Sequence, residues 1–211
     1  MTADRTFDDA FRGELAELFR WRRDVRRFRT DPLPPGVIEA LIDAATLSPS
    51  VGLSEPWRWV LVEDPARRAR VRASYEACNA AALACQAGDR AATYARLKLS
   101  GLDDAPCQLA VFVEPDPDQG HRLGRATMPE TTTYSAVIAI HTLWLAARAM
   151  GVGVGWVSIL DTDAVRTALD VPADWKLVGY LCVGYPASAD DTPELERTDW
   201  EHRRAPRITR R

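Results

Sequence analysis

Gly151-Val-Gly-Val-Gly-Trp-Val-Ser-Ile159 follows a long apolar, helix-forming stretch and runs directly into strand-forming residues. That order restricts the fold more than any other feature of the chain. A dinucleotide-binding glycine loop follows a strand and opens a helix. Here the order is reversed, so the doubly wound reading fails. Glycines leading into a strand instead let backbone approach something flat. Ser158, two residues past Trp156, is read inside that strand. It is either a buried serine bonded to backbone or a functional hydroxyl.

The remaining periodicities agree with this choice. Phe11, Leu15, Leu18 and Phe19 recur at helical spacing, which predicts a first helix over 8–23. Pro34 and Pro35 open a second helix ending near Leu47. Residues 48–56 hold too much Pro, Gly and Ser for regular structure. Strands are expected at 57–63, 108–114 and 176–184, beside the one entered at 151. Two alanine-rich helices fill 65–100, broken near Gly88, a long helix covers 130–150 and a short one 163–169. Helices thus come in pairs between strands, which argues for an α+β sheet covered by helices. With 211 residues, 46% of them hydrophobic, the chain reads as one domain, 1–211. An arginine-rich arm over about 197–211 is either flexible or packed on a partner.

Six arginines crowd around the single early carboxylate Asp24 between Arg20 and Asp31. Guanidinium groups grip phosphate oxygens in pairs, and they also decorate helix C-termini. Because the formal net charge is -3, the cluster is local. A nucleic-acid role is not expected, since no aromatics alternate with the arginines. No basic start precedes an apolar leader, and the run 137–147 is too short to span a bilayer. A cytoplasmic protein without a membrane partner is therefore expected. Cys78, Cys85, Cys107 and Cys182 lack CxxC spacing and are expected to be buried free thiols. His121, His141 and His202 are scattered, and no metal site is expected.

Taken in order, several segments resemble the 5,6-dimethylbenzimidazole synthase branch of the nitroreductase-like flavoproteins. They are Arg22-Arg-Asp-Val-Arg26, Ser48-Pro-Ser-Val-Gly52 with Pro56-Trp57, and Leu97-Lys-Leu99 before Ala105-Pro106. Tyr134-Ser135, Leu143-Trp-Leu-Ala-Ala-Arg148 and Gly151–Ile159 complete the set. The likeness runs from about residue 15 to 203, and ordinary nitroreductases typically carry Ser or Thr where this chain has Asp24.

The resemblance implies a mixed β-sheet flanked by helices, in an intertwined homodimer with FMN in each interface. It implies a phosphate clamp of Arg22, Arg23 and Arg26, with Arg203 from the arm, along the segment that includes Asp24 and Val25. The flavin ring edge would meet Thr46, Ser50 and Gly52, with Leu99 near the ring system. Asp24 and Ser158 match the positions the family uses for chemistry. Reduced FMN would be the substrate. Its fragmentation with O2 would give 5,6-dimethylbenzimidazole, the cobalamin lower ligand, and erythrose 4-phosphate. A separate NAD(P)H flavin reductase would supply reduced FMN. Asp24, ionised among guanidiniums, would shuttle protons as a base, and Ser158 would stabilise developing charge. An FMN-dependent NAD(P)H nitro or quinone reductase is the alternative, and a non-catalytic flavin carrier a third reading.

Overall fold

Carboxylates start three of the helices where an unpaired N–H needs an acceptor. The computed structural model describes residues 5–211. Asp8 accepts from the Phe11 N–H at 2.9 Å and begins α1 (Asp9–Trp21). Asp64 accepts from Ala66 at 2.8 Å, ahead of a helix with Pro at its first position, α3 (Pro65–Ala84). Asp161 accepts from both Asp163 and Ala164 and begins α6 (Thr162–Leu169). The other helices are α2 (Val37–Thr46), α4 (Gly88–Arg96), α5 (Thr131–Ala149) and the single turn α7 (Glu194–Arg197).

The strands are β1 (Trp57–Leu61), β2 (Cys107–Val113), β3 (Gly153–Val157) and β4 (Lys176–Gly184), in the order β1-β2-β4-β3. All three ladders are antiparallel. The mixed sheet expected from the resemblance takes a limited form, because the one parallel pairing among the described residues is an isolated bridge between Asp24 and Val154.

Side-chain alternation divides the core into two layers. Leu109, Val111 and Val113 of β2, with Leu181 and Val183 of β4, pack against α2 and α5. Ala110, Phe112, Tyr180 and Cys182 point the other way, onto Val71 of α3 and Val165, Ala168 and Leu169 of α6. The second layer holds one polar pair: the Tyr180 hydroxyl donates to Gln108 Oε1 at 2.7 Å, and Gln108 Nε2 donates to the Leu102 carbonyl at 3.0 Å. Burial raises the Tyr180 pKa and pushes the Cys182 thiol up to about 12.

Two expectations change, for the thiols and for Ser158, and one helix stands outside the core. Only Cys182 among the four thiols is buried, and Cys85 is exposed. The apolar side of α1 covers no core, since the helix buries no residue and Phe11 and Phe19 stay exposed. Ser158 lies just beyond β3, exposed, and not as a buried strand serine. The strand loses its partner after Val157, which pairs with Tyr180 at the last rung.

Candidate active site

The arginine cluster begins where α1 stops. Arg22 is the C-terminal cap, with extended φ and ψ of -71° and 110°. Arg22 to Arg26 therefore leave the helix and run beside β3, so helix-dipole decoration does not explain them. The Val25 N–H donates to the Val154 carbonyl at 3.0 Å, which adds this segment to the sheet edge. Gly155 makes the approach possible, because a Cβ there would lie 2.0 Å from the Val25 carbonyl oxygen. Gly153 faces the Val25 side chain in the same way. The flat object these glycines admit is the protein's own peptide.

That docking fixes Asp24. Its Oδ1 accepts the Trp156 backbone N–H at 2.8 Å, and Oδ2 accepts Arg26 Nε at 2.8 Å. Arg26 also donates to the Lys98 carbonyl at 3.2 Å, which brings the loop carrying half-buried Leu99 beside the cluster. Two carboxylate lone pairs stay open. With its side chain 32% exposed, Asp24 faces a cleft lined also by Arg23, Val25, Trp144, Arg148 and several residues between 186 and 197. Those last residues had no local sequence signal: their turn-rich composition resembles any surface loop. Trp144 and Trp156 lay within recognisable segments, but their partners are distant in sequence. Trp144 Nε1 donates to the Arg23 carbonyl at 3.3 Å, and its ring sits 4.8 Å from the Arg22 guanidinium carbon.

A second recess, continuous through Arg23, Asp24 and Arg26, is lined by Arg22, Pro193, Glu194, Leu195 and Arg203. Burial lowers the Arg22 pKa, opposed by Asp24 and reinforced by repulsion from Arg203. Arg23 is lowered by burial, then by repulsion from Arg203 and Arg22. Arg23 is partly committed, donating to the carbonyls of Asp191 (2.7 Å) and Arg22 (2.6 Å). Mutually repelling guanidiniums around a recess fit a bound anion such as a flavin phosphate.

The predicted ring-edge residues lie elsewhere. Thr46 is exposed and its hydroxyl donates to the Asp43 carbonyl at 2.6 Å. Ser50 Oγ accepts the Glu55 N–H at 3.1 Å. Gly52, at φ 57°, sits against the 120–124 loop, where a Cβ would meet the Leu123 carbonyl at 2.8 Å. The Val51 N–H is held by Ser135 near the start of α5 at 3.0 Å, whereas the arginines pack on Trp144 near its end. Those anchors are about 14 Å apart along the helix. One chain does not bring the two sets together.

The Nitroreductase family profile matches residues 19–185. The chain belongs to the nitroreductase family. A 5,6-dimethylbenzimidazole synthase of Rhodospirillum rubrum is 57% identical over 205 residues, covering 97% of each chain. A second protein of that name, from Rhodobacter capsulatus, is 51% identical over 92% of this chain and 94% of its own. Among solved structures, iodotyrosine deiodinase bound to FMN and 3-iodo-L-tyrosine superposes with a TM-score of 0.73 at 24% identity, covering 93% of this chain and 97% of that one. A nitroreductase with bound FMN from Desulfitobacterium hafniense gives 0.62 at 19% identity, covering 84% and 91%. These two share the fold. The antiparallel sheet covered by helices is therefore a nitroreductase-type α+β fold.

Proposed function

We propose that this protein is a 5,6-dimethylbenzimidazole synthase that consumes reduced FMN and O2 and releases erythrose 4-phosphate. The observation that carries the reading is the seat of Asp24: an oriented carboxylate with open lone pairs, beside an arginine-lined recess. The synthase name of relatives above 50% identity supports the same conclusion and does not favour the reductase alternative.

When bound, reduced FMN supplies the electrons that O2 accepts and the carbon skeleton of the product. Arg22 and Arg203, with the remaining donors of Arg23 and Arg26, hold its phosphate. Asp24 takes and returns protons through its open lone pairs, while the Trp156 N–H and Arg26 keep it oriented. Ser158, exposed just past the end of β3 and two residues from Trp156, would donate a hydroxyl hydrogen bond to developing negative charge.

The ring-edge contacts of Thr46, Ser50 and Gly52 come from a second copy in a homodimer. Apolar side chains support this assembly. Tyr134, Val137 and Ile138 of α5 are exposed beside Leu47, Leu53 and Leu123, the first of these 84% exposed. A helix apolar on all sides needs cover on all sides. No helix among the described residues is long and apolar enough to cross a membrane. A separate NAD(P)H flavin reductase delivers the reduced FMN.

The test mixes the purified protein with FMN, an independent NADH-driven flavin reductase and air, and follows products by chromatography. Oxygen-dependent loss of flavin with a matching benzimidazole peak is expected. Intact flavin with only NADH consumed would overturn the proposal.

A further inference from the structure

The segment 186–203 crosses the arginine recess and is pinned at both ends. Near its start, the Asp191 carbonyl accepts from Arg23 at 2.7 Å and Glu194 pairs with Arg27 at 2.5 Å. At the far end the chain leaves α7 through a turn closed by the Trp200 N–H on the Leu195 carbonyl, 2.9 Å. The Trp200 ring then meets Tyr94 of α4 edge-on, with centroids 5.8 Å apart and planes at 64°. The Arg90 guanidinium carbon lies 4.9 Å from the same ring. Tyr94 is buried and its hydroxyl donates to Asn79 Oδ1 of α3 at 2.8 Å. Trp200 thus rests on a fixed ring, in a geometry that aromatic and cation–π attraction both favour.

Arg203 follows three residues later and reaches the recess wall that it shares with Arg22 and Arg23. Every residue from 201 onward is exposed and outside regular structure. The ion pairs at 202 and 204 are local, reaching only Asp199, Glu196 and Glu201. Without a distant anchor, each binding event would have to order this arm from many conformations.

We infer that Trp200 is a positioning residue, a latch on α4 that delivers Arg203 to the flavin phosphate. The inference rests on the FMN reading above. It also ties the arm to α4, and the loop leaving that helix accepts from Arg26 at the Lys98 carbonyl, so both sides of the recess are held by α4 and the loop that follows it.

The test compares dissociation constants of oxidised FMN and of riboflavin, which lacks the phosphate, by fluorescence titration. Trp200→Ala should weaken FMN about tenfold, the size of one lost charge-assisted contact, and leave riboflavin unchanged. Trp200→Phe should restore most of the loss. In an Arg203→Ala background, Trp200→Ala should add nothing, because both act through one contact. Equal weakening of both ligands, or additive losses, would reduce Trp200 to a structural role and overturn the latch. A native protein that binds FMN no more tightly than riboflavin would instead overturn the phosphate reading beneath it.

Discussion

The carbonyl oxygen of Val25 occupies the space that a side chain on residue 155 would need, 2.0 Å from where its Cβ would lie. This contact docks the arginine segment on the sheet edge and aims Asp24 at the cleft.

Gly155→Ala should therefore be among the most damaging single substitutions in the chain. The neighbour is backbone and cannot swing aside, so a loss of about 3 kcal/mol or more is expected. Flavin binding should fall with it. Gly13→Ala serves as the control: nothing lies within 4 Å of its added Cβ, and helix propensity favours it by about 0.5–1 kcal/mol. Urea denaturation of the two variants makes the comparison, and equal stabilities would refute the close-approach argument.

Asp24→Asn removes the proposed base while keeping nearly the same shape. Benzimidazole formation should drop by about 10²–10⁴, the usual range for a lost general base. FMN affinity should change only a few-fold, because the phosphate contacts remain. The product assay run alongside FMN titration checks both halves. Native turnover in this variant would show that Asp24 carries no proton in the reaction.

His141 links the recess to pH. Although the residue is exposed, partial desolvation against its neighbours lowers its pKa below the ordinary value, and repulsion from Arg22 adds to this. The unfolded chain thus holds more protons than the folded one between the lowered value and about 6.5, so stability rises with pH there. This contribution is complete above about 6.5 and is lost as pH falls through the folded value. An anion placed on Arg22 should cancel part of the repulsion. An NMR titration should show the His141 pKa moving up when FMN is added, and an unmoved value would place the phosphate elsewhere.

Tyr180→Phe tests the polar pair in the second core layer. Gln108 Oε1 would be left buried without a donor, at a cost of about 1–3 kcal/mol. For a chain of this size each kcal/mol corresponds to about 2–4 °C in Tm. Calorimetry should show that decrease with catalysis per folded molecule unchanged.

Much of the fold could be read from periodicity. The long helix, the glycine entry to β3, the proline-led α2 and the paired helices before β2 all follow from local pattern. Burial of α1 could not be read that way, since amphipathic spacing says which side is apolar without saying what covers it. The clamp residues Arg22, Arg23, Asp24 and Arg26 stand together because they are adjacent in sequence. Trp144, Trp156 and the crossing segment 186–197 join them only through tertiary contacts. Ser158 falls one residue past the end of β3 and is exposed, a boundary that local pattern does not fix. Family likeness groups Thr46, Ser50 and Gly52 with the arginines, whereas packing on α5 holds them apart within one chain.

The distance that α5 imposes between Ser135 and Trp144 has a genetic consequence. In the proposed two-fold assembly each site takes its arginines from one copy and its loop from the other. A chain crippled at Asp24 and another crippled at Gly52 would then be separately inactive. Combined in one mixed dimer, they would rebuild one undamaged site and concentrate both lesions in the other. Two defective alleles of such a gene could thus complement each other in the same cell.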